Sequence, residues 1–310
     1  MQTPIRNFEE SKAVTASSMI PFNVNCYDVI RDLIIEFTNS GAPATLDACK
    51  AAISRVVVLI NGMNAVDVKL TQLVDLFTYL GTRVNQTTLT NVFSLNIGRL
   101  LYQAGIMRDE FAWRCGKSGS TDPNKKISSL VVQVYSNATI TGVTDVNLYS
   151  IRKQVEADWN DSYVQFNNNV QSFAAVGQSQ VNTLPKNAND LFLLAIAYNG
   201  GGVISQGETL VNNVNVARAI SLSTNNAMNN LDGYGVIDGA FVHSYTDGTA
   251  NSGLMVQDVT SELSVRTTFT TAPTSGSYDM PVVKVHNCPA SVQNLVNSNG
   301  LLALDTIRAA

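Results

Sequence analysis

Charge is what this 310-residue sequence has least of: Asp, Glu, Lys and Arg together make up 14% of it, against ~25% in an average globular protein. Asn, Thr, Ser and Gln take the vacant places. Uncharged polar groups are cheaper to desolvate than ions, so such a surface suits close packing against neighbours; a turn-rich β protein would have the same composition. Clustered basic residues are also missing. The net charge is -4, and the pair Lys125-Lys126 does not make a patch. Binding a nucleic-acid backbone needs several clustered cations to displace counterions, so direct nucleic-acid contact is not expected.

Histidine and cysteine are scarce too. The 2 histidines, His243 and His286, have no partner at metal-ligand spacing. The 4 cysteines, Cys26, Cys49, Cys115 and Cys288, lie far apart with no C-x-x-C pair. That spacing argues against zinc and for inert thiols in a reducing compartment. No apolar run approaches the ~20 residues of a membrane span. The opening MQTPIRNFEESK lacks the apolar core of a secretion signal. A soluble protein made and kept in the cytoplasm is expected.

What is present is strand pattern, clearest between Asp28 and Leu80. The run YDVIRDLIIEF, rich in β-branched residues, reads as a strand. Turn chemistry follows at Asn39-Ser40-Gly41-Ala42-Pro43, then a short helical turn over 44–52. Val56 to Ile60 is the strongest strand, and Asn61-Gly62 is a hairpin signal. Leu70, Leu73, Val74, Phe77 and Leu80 then fall on one helical face, with Gly81 placed to stop the helix. Strand pattern returns in NVFSLNIGRLLY, with Phe93, Leu95 and Ile97 alternating, and again at 110–115 and 127–135.

A fainter version of this order recurs: LFLLAIAYNGGG, TLVNNVNVARAISL, then the asparagine-rich NNAMNNLDGYG. SSLVVQVYSNA (128–138) lines up with SELSVRTTFTTA (261–272), and VFSLNIG (92–98) with AFVHSYTDG (240–248). Together, in one order, these matches predict a duplicated β-domain. The division expected is an arm over 1–22, ordered only by a partner, a first domain over 23–149, and a connector over 150–185. A second domain over 186–289 and an amphipathic tail over 290–310 follow, with Leu301, Leu304 and Ile307 roughly on one side.

The motifs that could carry chemistry fail on spacing. Gly116-Lys117-Ser118 ends like a phosphate loop, but the glycine needed five residues earlier is Phe111. Gly200-Gly201-Gly202 with Gly207 lacks the dinucleotide spacing and reads as a flexible inter-strand loop. Asp247, Thr249 and Asn251 alternate as in calcium loops, but the sixth position is Ser252 and the twelfth is Asp258. Asp109-Glu110 reads as a solvated strand start. Asn85, Asn137 and Asn160 open N-x-[ST] triplets that an Asn/Thr-rich chain produces by chance. No G-x-S-x-G nucleophile elbow is present. No catalytic, cofactor-binding or metal residue is assigned, and no cofactor is expected.

Three stretches carry a resemblance. The first is YDVIRDLIIEF through VVVLINGMNAV to LTQLVDLFTYLG. The second is the Trp159–Phe166 segment with its asparagine run to Leu184-Pro185, and the third is LFLLAIAYNG. In their order they resemble the double jelly-roll major capsid proteins of icosahedral, internal-membrane bacterial viruses of the corticovirus type. The resemblance implies an all-β fold of two tandem eight-stranded jelly rolls with short inserted helices. It further implies a non-enzymatic subunit of the virion, assembled in the host cytoplasm as a homotrimer. Pseudo-hexagonal trimers would tile a shell over the viral membrane, contacting neighbouring trimers, pentons and minor membrane proteins. The arm and tail would reach beneath the shell, and the loops 116–124, 200–208 and 246–253 would suit turret or inter-subunit contacts. Two alternatives stand beside this reading: a viral spike or carbohydrate-binding β-sandwich, and a β-sandwich hydrolase built on His243 or His286 with a carboxylate.

Overall fold

The computed structural model describes residues 5–84, 91–98, 112–116, 121, 126–154, 161–173, 175–181, 184, 187, 189–211, 214–245, 254–255 and 263–288. The chain divides into two units, Met1–Asn167 and Asn168–Ala310.

The first unit contains β1 (Ile5–Ala13), β2 (Met19–Val24), β3 (Val29–Asn39), β4 (Ala42–Pro43), α1 (Leu46–Ala52), β5 (Ile53–Ile60) and β6 (Met63–Lys69). It continues with α2 (Leu70–Val84), β7 (Val92–Ser94), β8 (Trp113–Arg114), β9 (Leu130–Ser136), β10 (Asp145–Lys153) and β11 (Tyr163–Asn167). One sheet runs β1-β10-β3, with β4, β7 and β8 also on β3; the other runs β2-β9-β5-β6, with β11 joined parallel to β6. Alternation along β2 and β9 turns Phe22, Val24, Val132 and Val134 inward, where each is buried. The ring of Phe93 lies 6.0 Å from Phe37 and 6.1 Å from Phe77, joining β3, β7 and α2 in one core.

The β5–β6 hairpin turns at Asn61-Gly62, where both residues have positive φ (50° and 80°), as a primed two-residue turn requires. The Asn61 side chain also fixes the chain entering β9, since its Oδ1 accepts from the Ser128 and Ser129 amides at 2.8 and 3.1 Å. The helix expected over 70–80 is present with Leu70, Leu73, Val74, Phe77 and Leu80 buried. It runs past Gly81 to Val84, because Gly81 stays helical and does not form a left-handed cap. Among the described residues of NVFSLNIGRLLY, 91–98, the strand covers only Val92–Ser94, although Leu95 and Ile97 remain buried.

The second unit contains β12 (Val170–Ser172), β13 (Gly177–Val181), β14 (Leu191–Tyr198), β15 (Val203–Val211), β16 (Val214–Ser221) and α3 (Leu222–Leu231). After these come β17 (Ala240–Ser244), β18 (Leu254–Met255), β19 (Leu263–Thr271), β20 (Ser277–Asp279) and β21 (Val282–His286). One sheet runs β13-β19-β15-β16. In the other, β14 lies between β17 and β21 and also pairs β18, while β12 pairs β20. Phe173, Phe269 and Tyr278 pack with tilted rings in the core, with the Phe269 centroid 4.7 Å from that of Phe173 and 5.1 Å from that of Tyr278. Gly207 leaves room for Phe241, since a Cβ there would stand 2.5 Å from the ring.

The two units repeat one wiring. In each, the hairpin (β5–β6 or β15–β16) runs directly into a helix. The strand after the helix region (β9 or β19) returns beside the hairpin's first strand, and an early strand (β2 or β13) closes that sheet. In the facing sheets, β7 and β8 pair β3 as β17 and β18 pair β14. These are two jelly rolls in tandem, all-β with short inserted helices.

Several boundaries differ from those the sequence pattern predicts. Residues 5–13 are not an arm awaiting a partner; they pair with β10 from Ile5–Arg152 to Ala13–Asp145. All of β1 is at least partly exposed, so it shows no apolar periodicity, and the ladder holds it. The described residues of the expected connector are shared out: β10 and β11 belong to the first unit, β12 and β13 to the second. The run TLVNNVNVARAISL, a single strand by its pattern, is divided between β15 and β16. The tail 290–310 lies outside the described residues.

Candidate functional site

The motifs singled out in the sequence do not meet. Lys117, Ser118, Asp109-Glu110, Asp247 to Asn251, Asn85 and Asn160 lie outside the described residues. Asn137 is engaged within the chain: its side chain donates to the Ala51 carbonyl at 2.7 Å. The triple glycine does join two strands, but it is tied down. The Gly200 carbonyl accepts from the Thr274 amide and hydroxyl, both at 3.0 Å, and the Gly202 amide donates to the Asn199 carbonyl at 2.8 Å. Within the expected loop 200–208, residues from Val203 onward are strand.

His243 is buried on β17. Its ring nitrogens stand 3.5 Å from the hydroxyls of Thr209 and Thr267, and its ring centroid is 4.7 Å from that of Phe241. Burial pushes its pKa down to about 3. A neutral imidazole between two threonines is a core group and not a proton shuttle at neutral pH.

His286 is different. Its Nδ1 lies 3.3 Å from Asp190 Oδ1, a His–carboxylate pair joining the end of β21 to the residue before β14. The carboxylate's stronger partner is Lys284, whose Nζ donates to Oδ2 at 2.6 Å with both side chains buried. The Asn187 amide donates to Oδ2 as well, at 2.9 Å. Burial alone would raise the Asp190 pKa; the hydrogen bonds from His286 and Lys284, the lysine's charge and the Asn187 amide outweigh it, holding the carboxyl at about 2. The nearby Cys288 thiol is pushed up to about 12 by burial and by Asp190. A lysine-neutralised carboxylate beside a protonated thiol is suited to tying strand ends together, not to nucleophilic attack.

The first unit has polar knots of the same kind. Arg152 on β10 donates to Glu9 at 2.8 Å and to the carbonyls of Asn25 and Tyr27 at 2.9 and 3.0 Å. Asp32, fully buried on β3, accepts from the Ser94 hydroxyl at 2.7 Å and the Asn96 amide at 3.2 Å. Each knot joins elements that meet only in the folded sheets, such as Asp190 and Lys284, and no local spacing announces them. No group of three or more His, Cys, Asp or Glu able to hold a metal ion occurs among the described residues. Among these residues, no helix is long and apolar enough to cross a membrane. The polar clusters described are ties between strands, and the prominent feature is the repeated roll itself.

That repeat has close counterparts among solved structures. The major capsid protein P2 of bacteriophage PM2 superimposes with a TM-score of 0.70 at 12% identity, over 92% of this chain and 99% of that one. The fold is a double jelly roll of the viral-capsid type. The structure of Sulfolobus turreted icosahedral virus contains a chain matching at TM-score 0.64 and 10% identity, over 97% and 98% of the two chains. The capsid of PBCV-1 virus gives 0.54 at 9% identity, over 92% and 94%. No protein-family model and no curated protein matches the sequence.

Proposed function

We propose that this chain is a non-enzymatic major capsid subunit that assembles as a homotrimer. The observation that carries the reading is the tandem repeat of one strand wiring in a chain of which 92% superimposes on a viral major capsid protein. A subunit with two like rolls presents two like corners, so three subunits about a threefold axis give six. A pseudo-hexagonal block of this kind can tile an icosahedral shell. The low-charge surface fits repeated contact with neighbouring trimers, because few ions must be desolvated at each contact. On this reading the protein resides in the virion, is assembled in the host cytoplasm, and overlies a viral membrane, with pentons and minor membrane proteins as further neighbours.

Light scattering on the purified protein, with electron microscopy of the same sample, tests the proposal. Particles of about three times the 33.4 kDa chain mass, hexagonal in outline, are expected. A monomer that persists under all solution conditions would overturn it.

A further inference from the structure

We propose that Cys26 and Cys115 form an oxidisable dithiol that closes into an intrachain disulfide, pinning the segment between β2 and β3 to the end of β8. The four cysteines are free thiols, and nothing in the shell reading calls for this pair.

The geometry begins with the backbone. Strand β8 pairs with the start of β3 through Arg114–Val29 and Trp113–Ile30. One residue beyond, the Cys115 amide donates to the Asp28 carbonyl at 3.2 Å. Asp28 has a left-handed φ of 59°, which turns the chain from Cys26 into the strand. On either side of Cys26, the carbonyls of Asn25 and Tyr27 accept from Nη1 of Arg152, whose guanidinium lies 4.1 Å from the Tyr27 ring centroid. Cys115 is therefore held by its main chain beside Asp28, and two positions earlier in that segment the residues flanking Cys26 are held by the Arg152 side chain. The two thiols lie near enough there for each to shift the other's pKa, while Cys26 Sγ donates to the Val24 carbonyl at 3.5 Å and Cys115 Sγ to the Trp113 carbonyl at 3.9 Å.

Reactivity is divided between the two sulfurs. Cys26 is half-buried, whereas Cys49, Cys115 and Cys288 are buried. The Cys115 thiol lowers the Cys26 pKa, burial opposes it, and the charge of Arg152 adds to the lowering. Cys115 is shifted the other way by Cys26 and by burial. Cys49 and Cys288 are held up at about 11 and about 12 by burial. Thiolate is the nucleophile, so attack on an oxidant is concentrated at Cys26.

With a small disulfide such as oxidised glutathione, the Cys26 thiolate attacks one sulfur and expels one glutathione thiolate, leaving a mixed disulfide. Cys115 then loses its proton to that thiolate and attacks Cys26 Sγ, expelling the second glutathione. Two protein thiols and one glutathione disulfide become one protein disulfide and two glutathione thiols. The bridge would enclose residues 27–114, a long loop, so the first unit should unfold at a temperature about 10 °C higher.

The full-length protein is incubated with oxidised glutathione, alkylated in denaturant, digested without reduction and mapped by mass spectrometry. The expected result is a peptide linking Cys26 to Cys115, with titratable thiols falling from 4 to 2 and the thermal midpoint rising. In C26S, oxidant should change neither the thiol count nor the midpoint, which keeps the test decisive if C115S fails to fold. Retention of all thiols, glutathione left on Cys26 alone, or linkage of another pair would each overturn the proposal.

Discussion

Arg152 of β10 and Glu9 of β1 form an ion pair, Nη2 to Oε1 at 2.8 Å, with the arginine side chain 1% exposed. Glu9 sits at a break in the β1–β10 register, between Phe8 and Glu10. Such a bulge re-aims a side chain, and here it brings the carboxylate within reach of Arg152, whose Nη1 holds the segment after β2. R152M leaves Glu9 without its cation and should cost ~3–5 kcal/mol. Amide exchange should speed up most over residues 5–13. Urea unfolding with exchange mass spectrometry checks both, and uniform exchange along the chain would refute the strand-specific part.

Asp190 makes the stability of the second unit depend on acid. Its folded pKa, about 2, lies below its ordinary 3.8. Its contribution is therefore complete above pH ~4 and lost as pH falls toward 2. It amounts to roughly 2 kcal/mol. D190N should be less stable than the parent at pH 7 and should lose less on acidification. Thermal midpoints of the two proteins from pH 6 to pH 2 should converge; parallel curves would show that the carboxylate does not carry the effect.

Gly207 faces Phe241 with no room for a side chain. G207V should destabilise by ~1–3 kcal/mol through overpacking. In G207V/F241A the valine should cost less than it does alone, because the ring it meets is gone. A double-mutant cycle by chemical denaturation measures that coupling.

Leu73 is fully buried on the inner face of α2. L73A should cost ~2–5 kcal/mol, whereas T71A on the exposed face of the same helix should change stability by less than about 0.5 kcal/mol. Equal effects would mean that the helix is not packed as described.

How much of this was legible in the sequence depended on whether burial left a period. The α2 stripe and the Asn61-Gly62 turn were readable because one face of a helix, or one φ requirement, fixes residue type locally. Pairing β9 with β19 and β7 with β17 as equivalents was readable from strand pattern and chain order. Strand β1 was not, because IRNFEESKA buries no side chain, and neither were the short polar β12 and β13. Asp190 meeting Lys284 and His286 was also hidden: those contacts span 94 and 96 positions and exist only once β21 lies beside β14. The same holds for Cys26 and Cys115.

The ladders that close the rolls also set a timetable for synthesis. Ile5 pairs with Arg152, and Val170 with Asp279, so neither unit can complete its sheets until nearly all of its own residues have left the ribosome. At ~5–20 residues per second, the first roll has roughly 5 to 25 seconds to close before the strands that complete the second emerge. Ladders of such long range also form slowly. A nascent chain halted between residues 136 and 145 would hold β3 without β10 and present an open edge to its neighbours on the same message. Premature aggregation is thus the hazard built into this wiring, and the separation of the rolls along the sequence limits it to one half at a time.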